Sequence, residues 1–188
     1  MDAFESLISM LLRHDGYWTT PSFKVELTPA DKAKIGRHSS PRWEIDLVAY
    51  KPSTDELLAV ECKSLLDSTG VVFRYGKFEP EKHYKLFSET KLRSVVLRRL
   101  LLQLRRTGSC TGHPKVRLCL AIGKIATKTD REGLTSHFAK KNWQLFDPEW
   151  VFDRLSKAAS KGYENDVAFI VSKLLLRNKE RLIKLYGD

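Results

Sequence analysis

Two acids and a lysine stand close together in an apolar part of the sequence. Asp46 lies within the segment 43–50 (WEIDLVAY), and Glu61 and Lys63 lie within the segment 57–64 (LLAVECKS). A lone carboxylate is costly to desolvate, so strands this hydrophobic rarely carry one unless it is paired, solvated or bound to metal. Two carboxylates beside a lysine suit a hard divalent cation, with Mg²⁺ the first candidate, and a water molecule to be activated.

Both segments are expected to be strands of one hairpin. Each is short and rich in apolar and β-branched residues, and the residues between them include proline, serine and aspartate, which suit a turn. Side chains alternate along a strand, so Glu61 and Lys63 share one face, about 7 Å apart. A suitable hairpin register would bring Asp46 beside Glu61.

The order Asp46, a gap and then Glu61-Cys62-Lys63 resembles the D…(D/E)xK core of the PD-(D/E)xK, or restriction endonuclease-like, nucleases. The segments 4–7 and 16–18 are similar to the first helix, and the residues after it, in the Holliday-junction-resolvase-like and methyl-directed restriction members. Ile45 stands before Asp46 where the motif name has proline, a departure shared by many members. The resemblance covers about residues 1–65.

The resemblance implies catalytic roles. Asp46 and Glu61 would hold the cation, and Lys63 would orient or deprotonate the attacking water. A glutamate on the first helix reaches the metal in these relatives, and here it would be Glu5. A second interpretation of Glu5 needs no metal, because an acid near a helix N-terminus is favoured by the helix dipole.

Two further residues are assigned by the resemblance. The backbone carbonyl of Cys62, between the motif acid and the lysine, would also bind the metal. In several relatives a glutamine on the helix after the lysine strand lies near the site, and Gln103 could be that residue.

The charge balance favours a polyanionic partner. The chain of 188 residues has 33 basic and 23 acidic residues, a net charge of +10 and an isoelectric point near 9.6. DNA or another nucleic acid is the first expectation, and an anionic membrane surface the second. The length suggests one domain over 1–188, large enough to bury a core.

The N-terminus lacks the features of a secretory signal, and no apolar run approaches the roughly 18 residues of a membrane span. A cytoplasmic protein without a membrane partner is therefore expected. Three widely spaced cysteines predict reduced thiols. No motif for a nucleotide cofactor is present.

Basic residues concentrate in two places. The first is an expected loop at 28–42, interpreted equally well as an arm that grips phosphates or as a solvated loop. The second is a helix at 88–106, where a basic stripe beside a buried leucine and valine seam favours contact with DNA over a merely solvated face. The candidate DNA-binding residues are Lys32, Lys34, Arg37, Arg42, Lys91, Arg98, Arg99 and Arg105.

Four aromatic residues, Phe73, Tyr75, Phe78 and Tyr84, alternate with basic residues in the segment 71–85. They are expected to be mainly core contacts, with base stacking as the alternative.

The expected element order is α, β, β, β, α, β, α, β, α. This order predicts an α/β fold with a central mixed β-sheet flanked by helices, consistent with a restriction endonuclease-like core. The last helix is expected over 166–186, with Val167, Ile170, Val171, Leu174 and Leu185 on its apolar side.

The functional hypothesis is a Mg²⁺-dependent DNA endonuclease, with Mn²⁺ able to substitute, that hydrolyses phosphodiester bonds as a homodimer. The alternative is a nucleic-acid-binding module that retains the nuclease fold without chemistry. Duplex DNA, branched junctions, methylated DNA and RNA all remain open as substrates.

Overall fold

The computed structural model describes residues 2–39, 42–160, 162 and 165–178. It divides into two compact units, 1–147 and 148–188. The first unit contains the sheet and every residue of the candidate site.

The strands follow the predicted order, with one additional hairpin. Their bounds are β1 Trp18–Glu26, β2 Arg42–Lys51, β3 Glu56–Lys63, β4 Val72–Arg74, β5 Lys77–Glu79, β6 Lys115–Ile122 and β7 Gln144–Phe146.

The helices include two short segments that were not expected, α2 and α3. The bounds are α1 Ala3–His14, α2 Pro29–Lys34, α3 Lys85–Ser88, α4 Thr90–Arg106, α5 Lys128–Lys141, α6 Pro148–Ser160 and α7 Val167–Arg177, with a 3₁₀ turn at Glu81–His83.

The central sheet is mixed and has five strands in the order β1-β2-β3-β6-β7. The first three strands are antiparallel, and β3, β6 and β7 run parallel. The parallel pairs need long crossovers, which contain α4 and α5. The prediction of an α/β fold with a mixed, helix-flanked sheet is confirmed, as is the antiparallel hairpin of β2 and β3.

The sheet changes its geometry at Asp46. On one side, pairing of β1 with β2 is interrupted between Pro21↔Leu47 and Phe23↔Ile45, where Ser22 has a φ of +48°. On the other, the ladder of β2 with β3 ends at Leu47↔Val60. Asp46 therefore lies at a one-residue break in the pairing with β1, which resumes at Ile45, and just beyond the end of the ladder with β3.

The end of β3 packs tightly against the end of β6. Past Lys63, the chain crosses Gly123 so closely that a Cβ atom on this glycine would lie 2.2 Å from the carbonyl oxygen of Ser64. The N–H of Gly123 donates to the carbonyl of Lys63 at 3.0 Å. Only glycine permits this approach, which fixes the end of β3 against the end of β6.

The expectation of a loop throughout 28–42 was wrong, because α2 forms within it. Thr28 caps the helix, Pro29 occupies its first turn, and Asp31 completes a reciprocal capping box with Thr28. This combination is a helix-start signal that is present in the local sequence. Residues 40 and 41 lie outside the described part.

The aromatic residues of the segment 71–85 divide into two groups. Phe73, Phe78 and Tyr84 are buried in the main hydrophobic cluster, as expected, and the rings of Phe78 and Tyr84 stack with centroids 4.2 Å apart. Tyr75 is exposed at the tip of the β4–β5 hairpin.

In the second unit, α7 buries Phe169 and Ser172, whereas Val167, Val171 and Leu174 of the expected apolar side are exposed. Leu185 and the end of the predicted helix lie outside the described residues. Within the described ranges, no helix combines the length and apolar character required to cross a bilayer.

Candidate active site

Asp46, Glu61 and Lys63 meet on β2 and β3, two inner strands of the central sheet. The Lys63 Nζ atom lies 3.9 Å from Asp46 Oδ2 and 3.9 Å from Glu61 Oε2. Both separations exceed hydrogen-bond length, so the ammonium balances two carboxylates without being bound tightly to either. The spacing predicted from strand alternation therefore produces a cluster of one cation and two anions.

The Asp46 carboxylate is held by the next strand. Its Oδ2 atom accepts a 2.7 Å hydrogen bond from the backbone N–H of Cys62. Because β2 and β3 have already separated at this point, a side chain takes the place of a backbone acceptor. The bond orients Asp46 towards Glu61 and Lys63.

Glu61 is the least satisfied member of the cluster. Its side chain is only 15% exposed, and its Oε1 atom is buried without a hydrogen-bond partner. Burial, reinforced by the charges of Asp46 and Glu5 and opposed by Lys63, raises the pKa of Glu61 to about 7. A buried carboxylate oxygen without a donor is costly, and either a proton or a cation would relieve that cost.

Glu5 joins the cluster electrostatically. Burial and the charge of Asp46 raise the pKa of its carboxyl group. The side chain also closes a capping box at the start of α1, where its Oε2 atom accepts the N–H of Asp2 at 3.2 Å. Glu5 therefore caps its helix and interacts electrostatically with Asp46, and its contact with a metal stays a prediction.

The donor set suits a cation with mostly water ligands. Among the described residues, no group of three or more His, Cys, Asp and Glu side chains is arranged to enclose a metal ion. Mg²⁺ commonly takes one or two carboxylates and completes its octahedron with water and substrate phosphate. Asp46 and the unpartnered oxygen of Glu61 are the candidate ligands, and one lysine does not neutralise the acids around it.

Cys62 donates its backbone N–H to Asp46, and its thiol does not suit a ligand or a nucleophile. The side chain is buried, and burial together with the surrounding acids raises its thiol pKa. A thiol that keeps its proton is a poor nucleophile and a poor ligand. The cysteines Cys62, Cys110 and Cys119 are all free, as predicted.

Gln103 contacts the edge strand instead of the acidic cluster. Its Nε2 atom donates to the carbonyl of Lys24, and its Oε1 atom accepts the N–H of Glu26, both at 3.1 Å. The amide thus satisfies peptide groups of β1, which is an edge strand. Covering an edge in this way blocks pairing with another chain.

Three of the predicted DNA-binding arginines form intramolecular ion pairs. Arg98 and Arg99 on α4 both contact the buried carboxylate of Asp31, Arg99 at 3.4 Å. Arg37 lies 2.8 Å from Glu89 and above the ring of Trp43. Asp31 belongs to α2 and not to α4, so the basic stripe itself gave no sign of this partner.

The remaining predicted cations are distributed differently. Lys34 and Lys91 line one cavity of about 570 Å³ between α2 and the start of α4. Lys34, Lys91 and Arg42 are exposed, while Lys32 and Arg105 are half-buried. The Nε atom of Arg105 is buried without a partner. The predicted basic surface is therefore narrower than the sequence indicated.

No protein-family model matches this chain, and no curated protein or solved structure is significantly similar to it. Any functional assignment consequently depends on the geometry of the site.

Proposed function

We propose that this protein is a Mg²⁺-dependent DNA endonuclease with a restriction endonuclease-like core, in which Mn²⁺ can substitute. The observation that carries the proposal is the meeting of Asp46, Glu61 and Lys63, with one oxygen of Glu61 buried and unpartnered. A structural salt bridge would satisfy its acids; this cluster leaves an acceptor for which a cation is the natural partner.

Asp46 and Glu61 would hold the cation, assisted by the backbone carbonyl of Cys62, while Glu5 would add negative charge nearby. When bound, Mg²⁺ would lower the pKa of a coordinated water and offset negative charge on a phosphate. Lys63 would orient the attacking water or donate a hydrogen bond to the phosphate oxygen as charge develops there. The Cys62 N–H would keep Asp46 in position.

The net charge of +10 and the exposed cations Lys34, Lys91 and Arg42 support nucleic acid as the substrate class. Lys34 and Lys91, which line the same cavity, would bind phosphates of the DNA backbone. Arg37, Arg98 and Arg99 would stiffen this surface through their acidic partners and contribute less directly to binding.

The direct test is cleavage of supercoiled plasmid and of a four-way DNA junction, with Mg²⁺ or with EDTA. We expect cleavage only with the metal. Lys63→Ala should reduce the rate by at least about 100-fold, in line with the loss of one preorganised electrostatic group. Lys115→Ala, an exposed lysine at the start of β6, is the matched control and should cut normally.

Cleavage that survives Lys63→Ala would exclude this mechanism. If the protein binds both DNA substrates but cuts neither with any divalent metal, it is instead a binding module that retains the fold.

The same resemblance leads us to propose a homodimer, since resolvases and palindromic restriction enzymes cut two strands with two sites. The apolar side chains Val167, Val171 and Leu174 recur on one side of α7 and are exposed, as at many interaction surfaces. Light scattering would measure the mass directly, and Leu174→Glu should shift a dimer towards monomer. A strictly monomeric wild type at high concentration would rule out the dimer.

A further inference from the structure

The tip of the β4–β5 hairpin carries an exposed aromatic ring. Arg74 pairs with Lys77, so Tyr75 and Gly76 form the whole turn. Tyr75 is 99% exposed, whereas Phe73 and Phe78 on the flanking strands are buried with ring centroids 5.0 Å apart. The ring of Tyr75 therefore contributes nothing to the packing of the hairpin.

Tyrosine is also a poor residue for this turn. Tyr75 has a φ of +51° and Gly76 a φ of +78°, so both turn residues are left-handed. Two-residue hairpin turns of this kind prefer Asn-Gly, since asparagine tolerates the left-handed region and larger side chains are strained there. An exposed and strained aromatic residue at a hairpin tip indicates a function other than folding.

A cavity of about 500 Å³ adjoins the tip, within the size range of ligand sites. The segment from Phe73 to Gly76 forms one wall, and α5, from Thr129 to Lys140, forms the other. Arg74 and Lys140 line the cavity with positively charged groups, and Thr129 and Ser136 supply hydroxyls. His137 also lines it, but burial and the nearby cations lower its pKa and disfavour a charged imidazole. The lining therefore suits an anionic ligand that has an aromatic part.

The acid in this lining does not oppose an anion strongly. Asp130 is 1% exposed, and its carboxylate accepts the N–H of Phe73 at 2.8 Å and a bond from Thr127. Arg74 lies 3.9 Å from the same carboxylate, beyond hydrogen-bond length, and its side chain is 57% exposed. Asp130 thus holds the floor of the cavity while the guanidinium group stays accessible.

The cavity lies close in the fold to the candidate active site. Lys63 is paired with Ile122 at the ends of β3 and β6. Three residues beyond, Ile125 bridges to Val71, which immediately precedes β4. A single DNA substrate could contact both places.

We propose that Tyr75 and this cavity bind one unpaired nucleotide of a DNA substrate. The base would stack on the exposed ring of Tyr75, and Arg74 and Lys140 would hold its phosphate. The choice of DNA rests on the proposed nuclease function, and the inference narrows the substrate to DNA with an unpaired nucleotide beside the cleaved bond, as in a flap or a branch.

The test compares binding of a fluorescent oligothymidylate with binding of a blunt duplex of the same length, in EDTA so that nothing is cut. We expect Tyr75→Asn to weaken single-strand binding by about fivefold or more, the typical loss when one stacking platform is removed. The melting temperature of Tyr75→Asn should equal or exceed that of the wild type, because asparagine suits the turn. Tyr75→Phe should retain binding, since stacking needs the ring and not the hydroxyl.

Lys140→Ala should also weaken single-strand binding and flatten its dependence on salt. Undiminished oligothymidylate binding by Tyr75→Asn would overturn the inference, as would an equal loss on the blunt duplex.

The binding assay separates this inference from the nuclease proposal. If the wild type cuts no DNA but Tyr75→Asn weakens its single-strand binding, the nucleotide site is supported and the nuclease proposal is rejected. If the wild type and Tyr75→Asn both cut DNA, and each cuts flapped and blunt substrates equally well, only the nucleotide site is rejected.

Discussion

Asp46 and Glu61 belong to one cluster but experience different surroundings. Asp46 accepts an N–H from Cys62, whereas Glu61 keeps a buried oxygen without a donor. The desolvated environment favours a protonated Glu61. Metal binding to the metal-free protein should therefore release a proton from Glu61 near neutral pH.

A measurable consequence is the stability of the metal-free protein as a function of pH. The pKa of Glu61 is raised from 4.5 to about 7, so the folded state binds more protons than the unfolded state between these values. The contribution of Glu61 to the free energy of unfolding is fully present below about pH 4.5. It is lost as the pH rises through 7, and the loss amounts to at most about 3 kcal/mol.

Urea unfolding in EDTA across this pH range measures the loss. Glu61→Gln keeps the shape of the side chain without the charge and should flatten the profile between pH 5 and 7 by about the same amount. An identical slope in wild type and Glu61→Gln would show that Glu61 is not the group responsible.

At the scale of the elements, the site depends on how the ends of β3 and β6 meet. Gly123 has no room for a Cβ atom because the carbonyl of Ser64, one residue after Lys63, would lie 2.2 Å away. Any larger residue must push the end of β3 away from β6. The position of Lys63 is thus coupled to a glycine just beyond a different strand.

Gly123→Ala should destabilise the fold by about 1–3 kcal/mol, as overpacking does, and lower cleavage further by moving Lys63. Gly112→Ala is the matched control, because its Cβ atom would meet nothing within 4 Å. Denaturant unfolding and the cleavage rate, measured at a temperature where both variants are folded, separate the two effects. Wild-type stability and activity in Gly123→Ala would contradict the close approach.

The pairing of α2 with α4 is a second organising contact. Burial alone would raise the pKa of Asp31, but hydrogen bonds from Thr28 and the charges of Arg98 and Arg99 outweigh it and hold this pKa below its usual value. Asp31 therefore stays charged and draws two arginines of α4 onto α2. This use of the basic stripe is structural.

For the whole molecule, the proposed DNA binding would depend on the cations that have no acidic partner among the described residues. The net charge of +10 is a property of composition, whereas Lys34 and Lys91 are brought to one cavity only by the fold. Cations already paired with acids release fewer counterions on binding.

Lys34→Glu combined with Lys91→Glu should weaken DNA binding and reduce the slope of log affinity against log salt by about one for each phosphate that the variant no longer neutralises. The control, Lys115→Glu, changes an exposed lysine at the start of β6. Fluorescence anisotropy at several salt concentrations gives the slopes. Equal slopes in the double variant and the wild type would place the DNA on a different face.

Three features could be predicted from the sequence alone: the β2–β3 hairpin, the position of Glu61 and Lys63 on one face of β3, and the buried seam of α4. These features follow from alternation along strands and periodicity along helices, which are local properties. The start of α2 at Thr28 is also encoded locally, because the residues of its capping box lie close together in the sequence.

Several other features of the site depend on contacts between elements that are distant in the chain. The partners of Arg98 and Arg99 come from α2, the exposure of Tyr75 depends on a turn whose flanking rings are buried, and the position of Lys63 depends on Gly123. Asp46 likewise meets Glu61 where β2 skips one pair with β1 and has passed the end of its ladder with β3. Contacts between elements distant in the chain carry no local periodicity, so their outcome is set by packing and not by spacing.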